Sequence, residues 1–169
     1  MEKHFPTDYR ETIRAAVIVS IVYQATGFLV TSARKKYFNA EFMERHFGEQ
    51  HRKYFGENPP VGGYPDPGDG KYADQLSFEG WHSLNSAVRA FNNFTEWIVS
   101  SVVSILLFGL FEPKWASYLG YIIAIGRALY AAGYLLSPGK RMIGAVISEV
   151  AVLVNLIAML YCCLTRGKH

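Results

Sequence analysis

Four long apolar runs, separated by polar stretches of very unequal length, set the pattern of this chain. They cover residues 13–33, 89–110, 115–136 and 143–164, each close to the roughly 20 residues that a helix needs to cross the hydrocarbon core of a bilayer. A lipid-exposed segment must satisfy its own backbone polar groups, so such runs predict α-helices. The second and third runs are joined by residues 111–114 and the third and fourth by 137–142. Connections this short make consecutive helices antiparallel neighbours. The predicted fold is therefore all-α, an integral membrane four-helix bundle of up-down topology, with residues 1–169 forming a single membrane domain. The polar stretch at about 37–80 is the one soluble region. Within it PPVGGYPDPGDG, residues 59–70, mixes Pro and Gly with Asp and keeps neither a helical nor a strand period, so it reads as a loop.

Charge adds an orientation. The net charge of +3 is too small and too dispersed to indicate nucleic acid as a partner. Its placement along the chain is uneven. The first and third connections hold Arg34, Lys35, Lys36, Arg45, Arg52, Lys53, Lys71, Lys140 and Arg141, whereas the two tails and the second connection hold only Lys3, Arg10, Lys114, Arg166 and Lys168. Cationic loops stay on the cytosolic side, which puts the 37–80 stretch in the cytosol and both termini across the membrane. The first run is longer than the apolar region of a cleavable signal and lacks a small-x-small cleavage site, so it reads as a retained signal anchor.

Several chemistries are disfavoured. Cys162 and Cys163 are adjacent and do not form an ordinary stapling disulfide. His46, His51 and His82 are irregularly spaced, so no metal site is expected. Neither GxGxxG nor a phosphate-binding Gly-Lys-Ser/Thr motif occurs.

The polar residues inside the spans carry more. On a helix of about 100° per residue, Arg89, Asn93 and Glu96 of RAFNNFTEW share one wedge of roughly 60°. In GRALYAAGYLL, Arg127, Tyr130 and Tyr134 share another of roughly 60°, with Gly126 and Gly133 beside them to admit a neighbouring helix. A charge facing hydrocarbon costs on the order of 3 kcal/mol, so both stripes should face protein, water or a polar ligand. An ion pair that fixes packing, with interfacial tyrosines, is the bland account; a hydrophilic ligand explains both stripes together.

These residues resemble a known family. RAFNNFTE is similar to the second-helix Arg-Ala-x-x-Asn-x-x-Glu signature of the membrane-associated proteins in eicosanoid and glutathione metabolism (MAPEG). GRALYAAGY followed by PGKR resembles the third-helix pattern, and SARKKY, residues 32–37, resembles the end of the first helix. The nearest likeness is to the type-3 microsomal glutathione transferases. Phe91 and Trp97 depart from the pattern, standing where relatives have a polar residue and, often, tyrosine.

The resemblance implies a homotrimer in the endoplasmic reticulum, with glutathione as co-substrate bound between subunits near the cytosolic face. It implies that Arg34, Arg89, Asn93, Glu96, Arg127, Tyr130 and Tyr134 bind glutathione, that Arg141 activates the thiol, and that Lys35 assists at the acceptor. The implied activity is conjugation of glutathione to lipophilic electrophiles that arrive through membrane lipid, with reduction of lipid hydroperoxides as a companion. The alternatives within the family are a non-catalytic lipid-binding scaffold and an eicosanoid enzyme similar to leukotriene C synthase or prostaglandin E synthase.

Overall fold

The computed structural model describes residues 7–166, and Lys3 and Lys168 of the charge count above lie outside them. Five α-helices follow in order: α1 Thr7–Tyr37, α2 Ala40–Phe55, α3 Phe78–Gly109, α4 Pro113–Leu136 and α5 Arg141–Arg166, with short 3-10 turns at Ala73–Gln75 and Pro138–Lys140. No strand occurs among the described residues. α1, α3, α4 and α5 are each long and apolar enough to cross a membrane. They contain the four runs predicted from hydropathy, and α1 and α3 extend beyond them into polar sequence. The chain divides into two compact units, residues 1–25 with 92–169, and residues 26–91.

The first unit is a helical core. Ala15, Ala16 and Val19 of α1, Phe94 and Ile105 of α3, Ile123 and Ala124 of α4, and Ala151 and Val152 of α5 are buried together. Glycines set how closely α4 and α5 approach. A Cβ on Gly126 would lie 2.7 Å from the backbone nitrogen of Ser148, one on Gly133 would lie 2.7 Å from the Lys140 carbonyl, and one on Gly144 would run into the backbone of Tyr130 and Gly126. Because α5 numbers fall as α4 numbers rise along these contacts, the two helices run in opposite directions. Small residues are what let backbones meet where lipid supplies little hydrophobic drive between helices. Buried hydroxyls are satisfied locally: Ser101, Ser104, Ser117 and Ser148 each donate to a carbonyl of their own helix. Val99, Val103, Leu107, Val150, Ile157 and Leu160 stay exposed, an apolar outer surface suited to lipid.

The second unit contains an element that the loop reading did not anticipate. α2 lies inside the 37–80 stretch, capped by Asn39, whose Oδ1 accepts from the Phe42 N–H at 2.9 Å, and ended by Gly56 at φ +73°. An Asx cap and a left-handed glycine are the ordinary start and stop of a helix. Met43 and Phe47, four apart on one face, pack with Phe38, Ala73 and Leu84.

The 59–70 segment is a loop, and it is tightly held. Arg34, 5% exposed, donates from Nε to the Gly62 carbonyl at 2.9 Å and from Nη2 to those of Gly63 and Asp66 at 3.0 and 2.6 Å. Its guanidinium lies 4.3 Å from the centre of the Tyr64 ring. The Asp66 carboxylate in turn accepts from the backbone N–H groups of Gly68, Gly70 and Tyr72 at 2.7, 3.0 and 2.7 Å. One cation satisfies the carbonyls and one anion satisfies the amides, which is how an irregular buried backbone meets its hydrogen-bond demand. His51 of α2 meets the Tyr72 hydroxyl at 2.5 Å and ties the helix to the end of the loop.

Candidate functional site

Asn93 and Glu96 of the α3 stripe meet the α4 stripe within the first unit. Arg127, in the middle of α4, is fully buried. Its Nη1 donates to Oδ1 of Asn93 on α3 at 2.8 Å, and Asn93 Nδ2 reaches Glu96 Oε2 at 3.4 Å. Fixing the amide between a guanidinium and a carboxylate determines which way it faces, oxygen to the donor and nitrogen to the acceptor.

Three aromatic rings enclose the guanidinium. The centroids of Phe94, Trp97 and Tyr130 lie 5.3, 5.4 and 5.8 Å from Arg127 Cζ, within the roughly 6 Å at which a ring face attracts a cation. Trp97 thus supplies a ring face to the arginine. Nε and Nη2 of Arg127 have no hydrogen-bond partner. Buried donors of a permanent cation are costly to leave unmatched, so this is a guanidinium suited to an anionic ligand. Glu149 on α5, a lone carboxylate within a span, acts electrostatically on Arg127 along with Glu96. It is absent from the residues picked out by helical period or resemblance.

The row continues along α4. The Tyr130 and Tyr134 rings are 5.7 Å apart, and Arg141 Cζ lies 5.2 Å from the Tyr134 centroid. Pro138 and Gly139, which interrupt the helical pattern before Arg141, form a 3-10 turn with Lys140, and α5 begins at Arg141 itself. The turn is closed by the Lys140 N–H donating to the Ser137 carbonyl at 2.9 Å, and Arg141 Nη1 donates back to the Pro138 carbonyl. A second guanidinium is therefore held at the start of a helix by its own turn. From Glu96 to Arg141 the site offers a carboxylate, an amide, two guanidiniums and two phenols in one connected row.

The remaining predicted residues belong to the unit of residues 26–91. Arg34 is buried and bonded to the 62–66 backbone. Lys35 and Arg89 are exposed, on α1 and α3. Phe91 packs against Gly27, where a Cβ would lie 3.2 Å from its ring, so it closes a helix contact. Among the described residues no group of three His, Cys, Asp or Glu side chains is placed to hold a metal.

Comparison with known protein families gives a match to the MAPEG family over residues 12–161. The match takes in α3 and α4, most of α1 and α5, the 59–70 loop and every residue of the row from Glu96 to Arg141.

Proposed function

Since the chain belongs to the MAPEG family, we propose that it is a membrane-embedded glutathione transferase, conjugating glutathione to lipophilic electrophiles and reducing lipid hydroperoxides with the same thiolate. It is an integral membrane protein of a family that includes glutathione transferases and eicosanoid-forming enzymes. One observation carries the narrower reading: the buried Arg127, with Nε and Nη2 unmatched, heads an aromatic-lined row that ends at a second fixed guanidinium, Arg141. Glutathione is a small peptide with two carboxylates, an ammonium and a thiol, and the row presents cations, an acceptor and phenols in matching kinds.

In this reading Arg127 and Arg89 hold carboxylates of the peptide, Glu96 accepts from its ammonium, and Asn93, Tyr130 and Tyr134 complete its hydrogen bonds. Arg34 adds only Nη1, its other donors being taken by the loop. Arg141 stands beside the sulfur. A free thiol has a pKa of about 8.5, and an adjacent cation favours the thiolate, which is the nucleophile. Arginine keeps its charge in a half-apolar site where lysine can lose it. Conjugation then forms a carbon–sulfur bond while the acceptor takes up the electron pair or releases its leaving group, with Lys35 assisting. In the peroxidase reaction two thiols become a disulfide and the hydroperoxide becomes an alcohol and water.

The assembly proposed with it is a homotrimer of up-down four-helix subunits in the endoplasmic reticulum, with glutathione between subunits at the cytosolic face and the termini across the membrane. The likeness of its motifs to those of the type-3 microsomal glutathione transferases supports this reading. Leukotriene C synthase-like and prostaglandin E synthase-like activities are narrower uses of the same thiolate. A non-catalytic lipid-binding scaffold is the competing reading, and the joint presence of Arg127, Tyr130 and Arg141 favours the enzyme.

The test is turnover of the purified full-length protein with glutathione and either chlorodinitrobenzene or an organic hydroperoxide. Wild type turns over, and Arg141→Ala loses about 100-fold in kcat, the scale of one lost electrostatic stabiliser, with a smaller change in KM for glutathione. Undiminished turnover in the variant removes Arg141 from the mechanism. Absence of turnover in wild type, with lipid still bound, moves the protein to the scaffold reading.

A further inference from the structure

A cavity lies at the other end of α4 from Tyr134. It has a volume of about 370 Å³ and is lined by Asp8 and Glu11 of α1 and by Lys114, Ser117, Tyr118 and Tyr121 of α4. That size is near the lower end of the roughly 300–1,000 Å³ usual for small-ligand sites. From Lys114 to Tyr130 is sixteen residues of continuous helix, about 24 Å at 1.5 Å per residue. The cavity, at the start of α4, and Arg141, just beyond its end, therefore lie toward opposite ends of a membrane-crossing element, with Arg127 between them.

The cavity carries both signs of charge. Glu11 is partly engaged: its Oε2 accepts from the Tyr121 hydroxyl at 3.0 Å, and its Oε1 pairs with Arg14 at 2.5 Å. Asp8 and Lys114 complete the charged lining as one anion and one cation. Counting Arg14 with its partner Glu11, the surroundings sum to zero. A purely cationic ligand would face Lys114, and a purely anionic one would face two carboxylates. A ligand with a phosphate and an ammonium suits both, the phosphate at Lys114 and the ammonium between Asp8 and the faces of Tyr118 and Tyr121, since ring faces attract quaternary and primary ammonium groups.

Its position names the source. α1 and α4 begin here, Trp115 and Tyr118 are 60% and 49% exposed, and their rings pack edge to face at 6.1 Å. Exposed Trp and Tyr at the end of a spanning helix mark the headgroup level of a bilayer. We propose that this cavity binds the headgroup of a zwitterionic phospholipid on the membrane face opposite Arg141, a site separate from glutathione chemistry. Soluble phosphocholine has the same chemistry, and the two sources are separable by experiment.

The experiment is native mass spectrometry of the full-length detergent-solubilised protein given equal amounts of phosphatidylcholine and phosphatidylglycerol with identical acyl chains. Wild type retains phosphatidylcholine over phosphatidylglycerol by about fivefold, the scale of one partly exposed charge pair. Asp8→Asn, which removes the partner of the ammonium, brings that ratio close to one, and Lys114→Ala, which removes the phosphate contact common to both lipids, lowers the retention of both. Both replace exposed side chains at helix starts, and an unchanged elution volume confirms that each variant is folded. A parallel titration with free phosphocholine, read by saturation-transfer NMR, shows weak binding or none if the lipid is the ligand. Strong Asp8-dependent phosphocholine binding supports the same site with a soluble ligand. Equal retention of the two lipids by wild type, or a ratio that Asp8→Asn leaves unchanged, overturns the proposal.

Discussion

Arg34 shows how much one side chain decides. It satisfies three carbonyls of the 62–66 backbone and lies over Tyr64. Arg34→Ala is predicted to destabilise residues 26–91 by about 3 kcal/mol, the lower end of the cost of breaking a buried charged network. Limited proteolysis will detect this as new cleavage at residues 59–70, with or without glutathione; unchanged resistance would mean that the loop holds itself. Tyr72 adds a pH dependence. Burial of its phenol, with the charge of Asp66 second, raises its pKa above the ordinary value near 10. A group whose folded pKa is raised contributes stability that is complete below the unfolded value and is lost as pH rises through the folded one. Protease resistance of the loop should therefore fall above about pH 10, and Tyr72→Phe should remove that component of the fall. These roles left little trace in the sequence, because Arg34 stands 28 to 32 residues from its partners and those partners are backbone atoms, available from any residue type. Glu149 escaped for another reason: a single carboxylate forms no stripe.

At the scale of elements, the four spans were readable because lipid demands about 20 apolar residues with internal hydrogen bonds, a signal too long to arise from packing detail. The meeting of the α3 and α4 stripes was readable in part, since helical period gave each wedge and the cost of charge in lipid required both to face inward. Their partner choice, Asn93 to Arg127, depends on helix rotation that the period does not fix. α2 had signals of its own, with Asn39 as a cap, Met43 and Phe47 on one face, and Gly56 as a stop, but the Pro- and Gly-rich sequence after it obscured them. Gly126 and Gly133 were legible as small residues, whereas Gly144, which faces the Tyr130 backbone, emerges only from the packing. Gly144→Ala places a methyl against backbone that no rotamer change relieves. It is predicted to cost about 2 kcal/mol, as overpacking typically does, and, on the proposed function, to reduce turnover by displacing Tyr130. Thermal stability in detergent, measured by loss of the native elution peak, checks the first effect; an unchanged profile would show that α4 and α5 separate without penalty.

For the whole molecule, a lipid environment accounts for both the apolar exterior and the few charges inside. Exposed Val, Leu and Ile along α3 and α5 are stable against acyl chains, and the same low dielectric strengthens every interaction of Arg127 and Arg141. Those cations stand where an anionic peptide has something to gain. The most direct test of that claim is the ultraviolet thiolate signal of glutathione titrated against pH in the presence of excess protein. With wild type the thiol should deprotonate at least one pH unit below its free value of about 8.5, and with Arg141→Ala the midpoint should return toward that value while calorimetry still registers binding. A thiol that titrates at its free value in the presence of wild type, with no heat of binding, would contradict the account.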